Sequence, residues 1–290
     1  MPGLKEIRKR IGSVKNTKQI TKAMKMVAAA KFRKAQGRII ELRPYADKME
    51  LVLTSLAGTV DTGHPLLERR VIRKVEIVVL TGDRGLCGAF NTNIMKAATK
   101  QIKDLQSKGI EVSVSAIGKK GCDLFKRRAV ALRQSWTGLS GRISYSTAQE
   151  IAKDIIENYI NETFDEVVLI YNEFRSALVQ KVSVLRLLPL ASVSEDKKES
   201  AEARAEFLYE PSQQAIFDTL LPKNLEIQVF RALLDSQASE EAARMTAMEN
   251  ATKAADDMIA SLTLKYNKAR QAAITTELMD IVGGVEALKQ

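Results

Sequence analysis

Residues 245–273 read MTAMENATKAADDMIASLTLKYNKARQAA, and their spacing decides the fold. Met245, Met248, Thr252, Ala255, Ile259, Leu262, Tyr266, Ala269 and Ala273 recur at alternating three- and four-residue steps, the rhythm of a coiled-coil seam. Many of them are small, so a partner helix can approach closely. No Gly or Pro interrupts the run from Lys223 to Val282, and Gly283-Gly284 weakens it near its end. Upstream, Pro211 marks a helix start and Pro222 predicts an early kink or interruption.

A second seam lies at the other end of the chain. Leu4, Ile7, Ile11 and Val14 begin it, and the apolar residues resume at Ile20, Met24 and Val27. Ile39, Leu42, Ala46, Met49, Leu53 and Leu56 continue it past a basic stretch. Pro44 predicts a bend, and Gly58, Gly63 and Pro65 end the helix.

The middle has a different period. Val75–Thr81 (VEIVVLT) is an apolar run of buried-strand type, followed by a glycine-rich loop at Gly82–Gly88 and a helical pattern over 93–107. A strand is predicted at 110–117, short helices at 119–127 and 147–160, a strand at 166–171 and a last one at 178–188. This order predicts an open, mainly parallel, Rossmann-like α/β sheet. The expected division is a helix over 1–58, an α/β domain over 70–190, a mobile loop and foot segment over 191–209, and a helix over 210–290. The fold class is therefore α/β with a two-helix coiled coil. One helix enters the central domain and the other leaves it, so they pair antiparallel. At 1.5 Å per residue they span roughly 80 and 110 Å, so the second overhangs by about 30 Å from about Tyr266 onward. Ile274, Leu278, Met279, Ile281, Val282, Val285 and Leu288 then need cover from outside the chain.

The chain has 290 residues, with 45 Lys and Arg against 35 Asp and Glu, a formal net charge of +10. Residues 1–34 hold eleven basic side chains and one acid, Glu6, so that segment carries the whole excess. The imbalance points to an acidic partner. A solvated face, a face turned to acidic protein and a nucleic-acid arm are all open, but Leu4, Ile7, Ile11 and Val14 put the stretch inside the coil and no aromatic platform accompanies it. No apolar h-region follows Met1-Pro2-Gly3, and no run reaches the ~18 residues that cross a bilayer, so a soluble chain is expected.

Chemistry is sparse. Gly82-Asp83-Arg84-Gly85-Leu86-Cys87-Gly88 stands between strand and helix, where a phosphate cradle belongs. It matches neither G-x-G-x-x-G nor G-x-x-x-x-G-K-[ST], which favours a structural turn or a partner-facing loop. Cys87 beside Arg84 is either a reactive thiol or a small residue packed in the turn. Cys87, Cys122 and the single His64 do not make a metal site, and no cofactor is expected. Two cysteines fit a reducing compartment. A dinucleotide-dependent enzyme and a coiled-coil nucleic-acid binder are the competing functions.

Three motifs, in order along the chain, complete the reading. ITKAMKMVAA at 20–29, TGDRGLCG at 81–88, and YNKARQ at 266–271 with ITTE at 274–277 closely resemble the gamma subunit of F-type ATP synthases. The loop of that family more often begins Thr-Asp-Arg, whereas here Gly82 stands between Thr81 and Asp83. Its last segment usually ends Gly-Ala, whereas here Val285 follows Gly284. The resemblance implies a non-catalytic rotor of the bacterial type, coupling proton flow to ATP synthesis. Its implied partners are three alpha and three beta subunits, an epsilon subunit and a ring of c subunits. It implies no nucleic acid, and a place at the cytoplasmic face of the inner membrane reached only through the complex. By resemblance, Arg270, Gln271, Thr275 and Glu277 meet a catch loop of beta. Lys22, Met24 and Lys25 face the acidic lever of beta, with Cys87 near it. Phe207, Leu208, Tyr209 and Glu210 form the foot at the c ring. The cysteine pair of chloroplast relatives has no counterpart in 192–205, so dithiol control is not expected.

Overall fold

The computed structural model describes residues 3–57, 64–141, 143–176, 179–190, 210 and 212–287. Two helices dominate by length: α1 at Leu4–Ala57 and α5 at Gln213–Ala287. Pro44 and Pro222 lie inside them, and both helices run through. Proline deprives the carbonyl four residues earlier of its donor, yet the flanking packing keeps the helical path, so the expected interruption at Pro222 does not occur. The chain divides into two compact units, residues 29–244 and the two ends, 1–28 with 245–290.

The larger unit is built on a five-stranded sheet in the order β3-β2-β1-β4-β5. Strands β1 (Lys74–Leu80), β2 (Glu111–Ile117), β3 (Gln134–Trp136) and β4 (Glu166–Phe174) are parallel, and β5 (Gln180–Leu188) is an antiparallel edge. Alternation along β1 sorts the two faces. Val75, Ile77 and Val79 join α2 (Phe90–Ser107) and α3 (Lys119–Arg127) through Ile94, Met95, Ala98 and Phe125. Val78 and Leu80 face α4 (Tyr145–Ile160), with Leu53 and Leu56 of α1 and Phe217, Leu221 and Leu225 of α5. Both faces are covered, which is why β1 and β4 read as continuous apolar runs.

Glu76 breaks that run. It is fully buried on β1 and accepts from Ser113 Oγ and Ser115 Oγ of β2. Arg133 Nε donates to it at 3.0 Å and Arg133 Nη2 reaches Asp154 of α4 at 2.7 Å. A buried carboxylate is tolerated when its lone pairs are filled in this way.

In the smaller unit the ends of α1 and α5 run antiparallel. Thr21 Oγ1 and Thr252 Oγ1 lie 2.8 Å apart, Lys18 Nζ reaches Asp256 at 2.5 Å and Lys25 Nζ reaches Glu249 at 3.3 Å. These contacts correct the expected seam of α1. Ile20 and Val27 are 60% and 56% exposed, whereas Thr21 and Ala28 are buried. The inward positions are Ile7, Ile11, Val14, Lys18, Thr21, Lys25 and Ala28, an unbroken 4-3-4-3-4-3 frame. The frame holds where the apolar residues leave it, because cross-helix polar pairs fill the seam there. On α5 the seam from Met245 to Ala273 is at least half-buried at every position read from the sequence.

Candidate functional site

The turn after β1 is held by a dense set of hydrogen bonds. Thr81 Oγ1 accepts from Gly121 N at 2.8 Å, and Thr81 N donates to Ile117 O at 2.8 Å. Gly118 has φ +95 at the N-cap of α3, and a Cβ there would lie 2.0 Å from Thr81 O. Only glycine allows the two parallel strand ends to close so tightly. Asp83 Oδ1 accepts from Lys119 N at 2.9 Å and Gly138 N at 3.2 Å, and Asp83 Oδ2 accepts from Ser140 N at 2.9 Å. The carboxylate therefore sits at the N-terminus of α3, where the helix dipole and free N–H groups would otherwise draw an anion. The position a phosphate would take is filled by the chain itself. This explains why the loop has the place of a phosphate cradle without its fingerprint.

Cys87 is buried in the same turn. Asn91 Nδ2 donates to its sulfur at 3.2 Å, and Asn91 Oδ1 accepts from Gly82 N at 2.9 Å. Burial, reinforced by Glu240, pushes the thiol above its ordinary value, with Arg244 opposing. Of the two readings of Cys87, packing is the one this geometry supports. The residue that the turn presents outward is its neighbour Leu86, which has φ 62 and is 64% exposed. A sequence reading drawn to the cysteine passes over it. The signal available was a large apolar residue in a turn with no core position to fill.

In the smaller unit, Lys22 is exposed, while Met24 and Lys25 are half-buried. Lys25 is committed to Glu249, so Lys22 is the freer charge. Arg270, Gln271, Thr275 and Glu277 are all exposed, and Thr275 Oγ1 donates to Gln271 O at 2.9 Å. At 100° per residue, Gln271 and Thr275 lie almost opposite the seam residues Ala269 and Ala273, while Arg270 and Glu277 stack together on one side, nearer the seam. The pairing of Lys18 with Asp256 carries Leu4 to the level of about Arg270. The polar group thus stands where α5 outruns α1. Past Gln271, the apolar residues Ile274, Leu278, Met279, Ile281 and Val282 are 53–68% exposed. Glu210 is exposed, and Phe207, Leu208, Tyr209 and the 192–205 loop lie outside the described residues.

No helix among the described residues is long and apolar enough to cross a membrane, and no group of three His, Cys, Asp or Glu side chains is arranged to hold a metal ion.

Comparison with known proteins gives this arrangement its context. A family model described as ATP synthase matches residues 3–288. The ATP synthase gamma chain of Trichlorobacter lovleyi is 48% identical over 290 residues, and that of Geobacter metallireducens 49%, each covering all of both chains. Among solved structures, a chain of the Tetrahymena thermophila mitochondrial ATP synthase central stalk and c-ring is similar with a TM-score of 0.59 and 29% identity. That match covers 80% of this chain and 99% of the other. A chain of the Euglena gracilis mitochondrial ATP synthase has a TM-score of 0.68 at 21% identity, covering 98% and 94%, which speaks to the fold alone. With every element from α1 to α5 inside the matched span and identity near one half along its full length, the chain belongs to the ATP synthase gamma-chain family.

Proposed function

We propose that this chain is the central-stalk rotor of a proton-translocating F-type ATP synthase. It couples rotation of a membrane ring of c subunits to synthesis or hydrolysis of ATP at beta-subunit sites, and is not itself catalytic. The observation that carries the reading is the end of α5: a single helix beyond its partner, apolar and exposed at Ile274, Leu278, Met279, Ile281 and Val282. Such a surface needs a sleeve, and non-directional apolar contact lets a shaft turn inside one. Three alpha and three beta subunits would form that sleeve, with epsilon and the c ring at the other end.

In this reading Arg270, Gln271, Thr275 and Glu277 engage a beta catch loop through directional hydrogen bonds. Lys22, with Met24 and Lys25, passes the acidic lever of beta, and Leu86 rather than the buried Cys87 is the apolar contact of the 82–88 turn. The foot at Phe207, Leu208, Tyr209 and Glu210 meets the c ring. The chain divides functionally into shaft segments 1–58 and 210–290, a domain at 70–190 and a foot at 191–209. It works at the cytoplasmic face of the bacterial inner membrane, held there by the complex. One charge crossing 100 mV releases about 2.3 kcal/mol, so a stiff element must gather several such steps for one ATP. Gamma then biases the beta sites from a distance, a coupling free energy between separate sites.

The test is rotation. Assembled with alpha and beta subunits and carrying a probe on its α/β domain, the chain should turn in one direction during ATP hydrolysis. A complex that hydrolyses ATP while the probe stays fixed would overturn the reading.

A further inference from the structure

A cavity of about 40 Å3 lies at the carboxyl ends of β1 and β2, inside the larger unit. Thr81, Gly82 and Asp83 form one wall, Leu139 and Ser140 a second, and Ser236, Glu240 and Glu241 of α5 the third. It has room for one particle of water size. Its charges do not balance. Asp83 is matched by three backbone N–H groups, that of Lys119 at the start of α3 and those of Gly138 and Ser140 in the loop after β3. Glu240 and Glu241 are both buried and share one cation: Arg244 Nη2 bonds Glu240 Oε1 and Arg244 Nη1 reaches Glu241 Oε1 at 2.9 Å. Glu241 Oε2 accepts no hydrogen bond, although the Glu241 side chain is only 6% exposed. Burial raises the Glu240 carboxyl above its ordinary value, Arg244 opposes the rise, and Glu241 and Asp83 add to it.

A buried carboxylate oxygen without a partner forfeits its hydration with nothing in return. One negative charge remains after Arg244 is counted, and one monovalent charge would cancel it. The ligand set is wrong for a divalent metal: the acids are not arranged to hold one among the described residues, and Asp83, the third acid of the cavity wall, is already taken up by backbone N–H groups. Gly82 makes room for the Glu240 carboxylate. A Cβ there would lie 2.8 Å from the Glu240 carboxylate, and Gly82 is the residue by which this loop departs from the more frequent Thr-Asp-Arg opening.

We propose that this cavity binds a single monovalent cation of ammonium or potassium size, held by Glu241 and Glu240 and screened by the hydroxyls of Ser140 and Ser236. The bound ion fastens α5 to the turn after β1 and completes the neutralisation that Arg244 begins.

The experiment is thermal unfolding of the full-length chain in ammonium, potassium or choline chloride at equal ionic strength. Ammonium or potassium at 100 mM should raise Tm by about 3 °C over choline, which is too large for the cavity. In Glu241→Gln the three salts should give one Tm. Gly82→Ala, whose methyl group displaces Glu240, should also reduce the difference, so the result does not hang on one variant. A slowly exchanging 15N-ammonium resonance in the wild-type chain identifies ammonium as an occupant, and its absence beside a potassium effect identifies potassium. Equal Tm in all three salts for the wild-type chain would overturn the proposal. So would an undiminished ion effect in Glu241→Gln, or a Glu241→Gln chain that gains stability in choline while the wild type ignores the ions, since a proton would then hold the place.

Discussion

Asp235 shows how far one buried acid can colour the pH response of the chain. It is 5% exposed on α5, and burial lifts its pKa from 3.8 to about 6, with Arg231 and Arg43 opposing and Glu173 assisting. Between about pH 4 and 6, native Asp235 thus holds a proton that the unfolded chain has released. The stabilisation is fully present below pH 3.8 and is lost as pH rises through about 6. Asp235→Asn should therefore stabilise the protein above pH 7 by up to about 3 kcal/mol and give no gain below pH 4, as urea titrations at the two pH values would reveal. Gly118 gives the opposite sign at any pH. Its φ of +95 and the 2.0 Å approach to Thr81 O leave no place for a methyl group, so Gly118→Ala should lower stability by more than about 3 kcal/mol. A Gly118→Ala chain with the wild-type Tm would refute that. Neither residue announced itself in the sequence. Asp235 sits in a polar-looking stretch whose burial depends on strands more than 60 residues away, and the closure at Gly118 depends on Thr81.

At the scale of elements, legibility followed periodicity. Strands β1 and β4 were readable as continuous apolar runs, and strand β2, helix α3 and the α5 seam because each repeats its period. Strand β3 was missed, for Gln134–Trp136 is three residues long and offers one buried side chain. The α1 seam was misread at Ile20 and Val27, because apolar identity was followed where the frame ran through Lys18, Thr21 and Ala28. The correction is testable. Ala28→Leu should overpack the coil and cost about 1–3 kcal/mol, while Val27→Leu on the exposed side should be nearly neutral, both measured by urea unfolding. If Val27→Leu is the costlier change, the frame is wrong. Of the candidate site, the motifs located the exposed polar group at 270–277, but the burial of Cys87, the pairing of Lys25 with Glu249 and the exposure of Leu86 needed coordinates.

For the whole molecule, coupling and assembly should separate. Lys22→Glu reverses an exposed charge that makes no bond to α5, whereas Lys25→Glu also sets a like charge beside Glu249. In the assembled enzyme, Lys22→Glu should reduce ATP-driven proton pumping severalfold with ATP hydrolysis largely kept, and Lys25→Glu should in addition lower Tm. Normal pumping in Lys22→Glu would place the acidic lever elsewhere. At the tip, changing Arg270 and Gln271 together to Leu should lower activity more than removing the residues after 283, since directional bonds are lost in the first and part of a distributed contact in the second. Abolished activity on truncation beside a normal Leu pair would reverse that division.

The carboxylate of Asp83 occupies the N-terminus of α3. A part that reports on nucleotide sites while bathed in ATP, ADP and phosphate must not answer to those ions itself, or its shape would drift with the energy charge of the cell. An open α/β sheet carries that hazard by construction, since its strand ends and helix N-termini gather anions. By seating an anion of its own, covalently attached and never released, the chain makes the sheet deaf to the metabolites whose turnover it times.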